Sequence, residues 1–163
     1  MRPTEALKHE HDIILKVIGA AEREVLLIGD TGEIDANQIA KMVDFFRNFT
    51  DSCHHAKEEQ HRFVIMEKRD QPRNTGPIAV MLQEHAMGRA RVKTIANALP
   101  LAQKGDSSTI ASLKDNLMIY VNLLQAHITK ENHALFLMAD RLFTAKDQEE
   151  LTMCSPKFDE KFK

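Results

Sequence analysis

The sequence predicts an all-α protein: an antiparallel up-down-up-down four-helix bundle followed by a short C-terminal helix or tail. Three observations predict it. Four long segments repeat apolar residues at alternating spacings of three and four, the period of one helix face. Clusters of turn-forming residues at 29–32, 71–77 and 105–108 separate those segments. The composition is helical and globular, with 43% hydrophobic and 28% charged residues, no Trp and one Tyr. A chain of 163 residues suits one domain with a real core. We assign residues 1–145 to the bundle and 146–163 to the tail.

The first segment opens at Pro3, a favoured early helix position. Its seam is Leu7, His11, Ile14, Ile18, Ala21, Val25 and Ile28, with His11 in a slot the pattern would give to Leu. The second starts at Asp35 with Gln38 three residues on, a capping-box pattern, and runs to about Arg69. Ile39, Val43, Phe46 and Phe49 begin its apolar face. The third starts at Pro77 and ends at Pro100, with Met81, His85, Gly88, Val92, Ile95 and Leu99 as its seam. The fourth starts near Ser107 or Ser108. Its seam is Leu113, Leu117, Tyr120, Leu124, His127, Glu131, Ala134 and Met138. The tail from Thr144 reads as one short helix limited by Pro156. No internal repeat is evident in the sequence.

Charge and composition exclude several functions. A net charge of −2 leaves no electrostatic footprint for nucleic acid or an anionic membrane. No apolar run reaches the roughly 20 residues of a membrane span. The opening MRPTEALKHEH has no apolar signal core, and two cysteines are too few for a disulfide framework. A cytoplasmic location is the expectation. Neither a glycine-rich phosphate loop nor a nucleophile with a His partner is present.

The polar residues inside the seams need explaining, because burying them unpartnered costs several kcal/mol. A bound cation compensates imidazoles and carboxylates together. In the second segment, Cys53-His54-His55-Ala56-Lys57-Glu58-Glu59-Gln60-His61, a count of about 100° per residue from Ile39 chooses among the residues. His54, Glu58 and His61 fall at about 60°, 100° and 40°, on the apolar flank. His55 and Glu59 fall near 160° and 200°, facing out or standing behind the site. His61 reads as a core residue or one behind the site, one turn beyond the ligands, with a fifth nitrogen ligand as the alternative; His55 would ligate if the helix were rotated. His127 and Glu131 repeat the His-x-x-x-Glu spacing, which stacks two side chains on one stripe.

Axial position agrees. His11 lies eight residues after Pro3, and His85 lies eight after Pro77. His54 lies fifteen before Arg69, and His127 lies sixteen before Phe143. In an up-down-up-down bundle all four then share one layer. The expected metal ligands are therefore His11, His54, Glu58, His85, His127 and Glu131. Four imidazoles and two carboxylates suit two ions, each with two His, both carboxylates bridging, and an open position on each. That donor set favours iron over a closed structural zinc site, with zinc or manganese as alternatives.

Lys8-His9-Glu10-His11, His54-His55-Ala56-Lys57-Glu58-Glu59, Gln83-Glu84-His85 and His127-Ile128-Thr129-Lys130-Glu131 together resemble the hemerythrin-like, or His-His-Glu cation-binding, domain. The resemblance runs from about Thr4 to Phe143. It implies a non-haem di-iron centre with carboxylate and oxo or hydroxo bridges in an antiparallel bundle. Oxygen-carrying hemerythrins have a second His one turn after the third-helix His and an Asp five residues after the fourth-helix His. Here those positions hold Arg89 and Asn132. Glu131 resembles the hemerythrin-like branch instead, which implies reaction with, or sensing of, dioxygen, peroxide or nitric oxide rather than oxygen carriage. If the protein is an enzyme, peroxide breakdown is the natural chemistry. The alternative is a metal-responsive module that signals to a partner protein without turnover. A third reading is a plain helical bundle whose buried His bond one another.

Overall fold

The structure, a computed structural model, describes residues 3–142. Four helices pass up and down: α1 (Pro3–Thr31), α2 (residues 36–68), α3 (Gly76–Gln103) and α4 (residues 107–142). Each helix packs on the next in sequence, and α4 packs on α1, so the four close a ring around one interior. The expected tail lies outside the described residues.

Local chemistry explains the ends. Asp35 stands in extended backbone before α2, and its Oδ1 accepts from the Gln38 N–H at 3.1 Å. Glu24 of α1 accepts from the Asp35 N–H at 2.9 Å and ties the first two helices at that corner. Asp106 caps α4 in the same way, accepting from the Thr109 N–H at 3.0 Å. Gly32 follows α1 at φ 69° and returns its N–H to the Ile28 carbonyl, a left-handed step that favours Gly. Pro100 does not end α3, contrary to expectation; the helix continues to Gln103. A proline in the last turn removes one N–H near an end whose carbonyls already lack helical partners.

Every seam residue assigned to α1 is buried, as are Ile39, Val43, Phe46 and Phe49 of α2. Apart from Leu7 and His11, they belong to the larger apolar cluster with residues of α3 and α4. A smaller cluster of Phe63, Ile65, Met66, Ile78, Met81, Leu135 and Ala139 occupies the other end of the bundle. The buried His and Glu side chains belong to neither cluster.

Two helices depart from α geometry. α2 is π-helical over Phe46–His55 and Glu58–Arg62, and α4 over Glu131–Leu135. The Phe63 N–H reaches back to the Glu58 carbonyl and the Phe136 N–H to the Glu131 carbonyl, both i→i−5 bonds. Each wide turn holds an extra residue and rotates everything after it. The apolar stripe of α4 therefore leaves Ala134, which is exposed, and passes to Leu135, Phe136 and Ala139.

Candidate metal centre

The fold brings all six expected residues together. His11 on α1, His54 and Glu58 on α2, His85 on α3, and His127 and Glu131 on α4 are each at most 1% exposed. They form two donor groups. One is His11, His54, Glu58 and Glu131; the other is His85, His127, Glu58 and Glu131; within each, the donor atoms lie within 4.8 Å of one another. The two carboxylates belong to both groups.

The distances have the scale of donors around a shared cation. His54 Nε2 lies 2.8 Å from Glu58 Oε1, and His127 Nε2 lies 2.5 Å from Glu131 Oε1. His11 Nε2 is 3.6 Å from Glu131 Oε2, and His85 Nε2 is 3.5 Å from Glu58 Oε2. Two donors at right angles on a metal with bonds of about 2.1 Å stand about 3.0 Å apart. The unpartnered atoms point the same way. His11 Nε2, His54 Nε2, both Glu58 oxygens and Glu131 Oε1 are buried without a hydrogen bond. Five such atoms at one place are what a metal site leaves when its ion is left out of account. The residues present fit a pair of cations.

The opposite ring nitrogens are held. Nδ1 of His54 donates to Glu10 Oε1 at 2.7 Å, and Nδ1 of His127 donates to Glu84 Oε1 at 3.2 Å. Lys57 donates to the other oxygen of Glu10, and Lys130 to the other oxygen of Glu84, each at 2.6 Å. His11 Nδ1 meets Asn132 Oδ1 at 2.8 Å, and His85 Nδ1 meets Glu59 Oε2 at 3.2 Å. All four imidazoles thus turn Nε2 to the centre, with orientation and basicity set from behind. Glu59 stands behind the site, one of the two positions expected for it, whereas Glu10, Glu84 and Asn132 were not assigned as site residues from sequence. The signal was the Glu-His pair, at 10–11 and again at 84–85.

These contacts expose an internal repeat that the sequence conceals. α1–α2 and α3–α4 present the same device: Glu-His on the first helix, His-x-x-Lys-Glu on the second, then a wide turn closed on a Phe. Glu10 with His54 and Lys57 matches Glu84 with His127 and Lys130. So few matched positions in so long a chain escape a reading by eye.

The halves differ in ways that matter. Where one half has Ile128, the other has His55, which is buried and stacked on His85 with ring centroids 3.8 Å apart. His55, expected to face out or stand behind the site, is turned in by the wide turn that it ends. It joins His85 and His127 in a third donor group. Where one half has Leu135, the other has Arg62. That guanidinium is fully buried between the rings of Phe63 and Phe136, with Nη2 3.4 Å from Glu131 Oε2 and 3.8 Å from Glu58 Oε2. His61 is exposed and not in the core, because the Glu58–Arg62 turn delivers Arg62 to the inner face in its place. The two positions that differ from oxygen-carrying hemerythrins stand behind the centre: Asn132 on His11, and Arg89 pairing with Asp51 and Glu59, the latter on His85.

The electrostatics follow from burial and neighbours. Burial works against ionised Glu58, yet Arg62 and His54 hold its pKa well below the carboxylate range. Burial and Glu58 both oppose ionisation of Glu131, and Arg62 and His127 overcome them. Burial lowers the pKa of His11 to about 4 and that of His55 to about 3. For His54 burial is outweighed by Glu58 and Glu10, and the pKa rises to about 9. For His85 it is outweighed by Glu131, Glu58 and Glu59, and the pKa rises to about 11. With no metal counted, two imidazoles and a guanidinium thus carry the positive charge that the two carboxylates require.

Among the described residues no helix is long and apolar enough to cross a membrane. No curated protein and no solved structure matched the chain. The model of the hemerythrin HHE cation-binding domain matched residues 2–139. With that match over most of its length, and with two buried His and Glu donor groups in a four-helix bundle, this chain belongs to the hemerythrin HHE cation-binding domain family and is a metal-binding protein.

Proposed function

We propose that the chain holds a dinuclear non-haem iron centre and that its function is to react with, or sense, dioxygen, peroxide or nitric oxide. One observation carries this reading: two four-residue donor groups share both Glu58 and Glu131. In this assignment His11 and His54 would hold one ion and His85 and His127 the other, with Glu58 and Glu131 shared between them. Four nitrogen and two carboxylate donors leave positions open on each ion, unlike a closed structural zinc site. An iron pair so held supplies redox chemistry toward small oxygen and nitrogen species.

The chain's own residues prepare the site. Glu10, Glu84, Glu59 and Asn132 fix the four imidazoles. Phe63, Phe136 and Met66 keep one end dry. Small-molecule approach falls to the His85 side, where Gly88 leaves space beside the Tyr120 ring.

Metal content of protein from iron-replete cells tests the proposal. About two irons per chain, with spectra that change on adding peroxide, nitric oxide or dioxygen, support it. One iron or one zinc per chain keeps the donor set and removes the dinuclear reading. No metal, with stability unchanged by a chelator, removes the function altogether.

A further inference from the structure

A cavity of about 340 Å³ opens between α2 and α3 and ends on the stacked rings of His55 and His85. That size is at the lower end of organic-ligand pockets and exceeds what a diatomic molecule needs. The repeat that relates the halves sets Ile14 of α1 against Gly88 of α3, and Ile14 is fully buried. Isoleucine fills the space on one side; glycine leaves it open on the other.

The lining has an apolar wall and a set of cations, together with Asp51 and Asn97. Phe46, Val92 and Tyr120 form the wall, the Phe46 and Tyr120 rings meeting at 4.6 Å between centroids. Arg47 and Lys93 stand at the mouth, both exposed and both without an ion pair among the described residues. The third cation there, Arg89, is already committed to Asp51 and Glu59. Two unpaired cations over one cavity are notable in a chain of net charge −2. Tyr120 is 2% exposed, and its side chain lines the cavity.

We infer that this cavity is a binding site for a small organic anion with an apolar body, such as a medium-chain or aromatic monocarboxylate. The carboxylate lies between Arg47 and Lys93, and the body runs along Phe46, Val92 and Tyr120 toward His55. The occupant therefore ends one imidazole away from the His85–His127 half of the centre. That places it where an effector or co-substrate would alter this half and not the other. The site itself does not depend on which metal the protein holds.

Tyr120 is the sole Tyr in a chain without Trp, so the intrinsic emission of the protein reports on this cavity alone. Hexanoate is the probe, titrated into the full chain as purified and again after chelation, with hexanol, chloride and phosphate as comparisons. Saturable change in Tyr120 emission is expected at or below about 1 mM hexanoate, in both metal states. Hexanol should bind at least about tenfold more weakly, and the exposed pair Arg47→Glu with Lys93→Glu should weaken hexanoate by at least about tenfold. Gly88→Ala should weaken the signal with helicity retained, because a Cβ there meets the Tyr120 ring at an ordinary 3.5 Å and narrows the cavity. Equal binding of hexanol and hexanoate would remove the anion. Equal displacement by chloride or phosphate would remove the apolar body. Binding that disappears with the metal, or that ignores the charge reversals, would place the carboxylate on the ions and overturn the site. Metal content is measured separately, so failure here is distinct from failure of the dinuclear reading.

Discussion

Replacing Arg62 should affect the metal-free protein far more than the metal-loaded one. Its Nη2 lies 3.4 Å from Glu131 Oε2 and 3.8 Å from Glu58 Oε2, with all three side chains fully buried. Removing one partner of a buried ion pair costs about 3–5 kcal/mol, because it leaves a charge uncompensated. Arg62→Met keeps most of the volume between Phe63 and Phe136, so packing accounts for less than about 1.5 kcal/mol of any loss. For a chain of this length each kcal/mol moves the midpoint by roughly 2–4 °C, which gives roughly 6–20 °C for chelated protein. The lower end is expected, since His54 and His85 share the compensation. With cations bound, the same variant should lose only its packing share. The assay is thermal unfolding of wild type and variant, each with and without metal. An equal loss in both forms would mean that Arg62 acts by stacking on Phe63 and Phe136. No loss in either would mean that the carboxylates do not need it.

Other perturbations separate the roles of individual residues. Glu84→Gln removes the carboxylate behind His127 at a position that is not fully buried, and metal affinity should fall by about 10–100-fold with the fold intact. Competition with a chelator of known affinity reads that change; unchanged affinity would separate Glu84 from the centre. His54→Ala should lose metal whereas His133→Ala, on an exposed position, should not, as metal analysis of the two purified variants will show. Leu135→Ala should cost about 2–5 kcal/mol in urea unfolding, and Ala134→Glu should stay within about 0.5 kcal/mol, the reverse of what an unbroken α seam predicts. Asp35→Ala removes the cap on the Gln38 N–H and should cost about 1 kcal/mol without any change in metal content.

Much of this was legible in the residues because helices obey a period. The α1 seam was readable to the last residue, since that helix is regular from Pro3 to Thr31. His11, His54, His85 and His127 stood out as polar intruders, and the axial argument correctly placed them in one layer. What failed did so at the wide turns. A count of about 100° per residue assumes an unbroken α-helix, and α2 departs from it at Phe46. His55 was therefore read as facing out or standing behind the site, and His61 was brought inward. In α4 the count held up to Glu131 and failed one turn later, where Ala134 gave way to Leu135. Propensity carries no sign of these turns, because a π-turn is stabilised by the tertiary contacts that it makes and not by its own residues.

The wide turns and the metal layer have a common physical basis. Glu58 and Glu131 each open such a turn, and each closes on a Phe that packs beside Arg62. A regular helix would carry the apolar stripe straight from the large cluster through the carboxylates into the small one. The stripe would then have to hold both a ligand and its apolar successors on one line. An extra residue directly after each Glu frees the two demands from each other: the carboxylate joins both donor groups, and the helix resumes with Phe63, in the small cluster, or with the buried Phe136. The cost is a poorer run of backbone hydrogen bonds at two places in the core. That cost is tolerable only where something else fixes the turn, and the shared donor groups at Glu58 and Glu131 are what lies there. The small cluster beyond is too limited to hold that end of the bundle firmly alone. The stability of that end is therefore tied to whatever balances the charge of the layer, which is Arg62 and two imidazoles without metal and the bound metal with it.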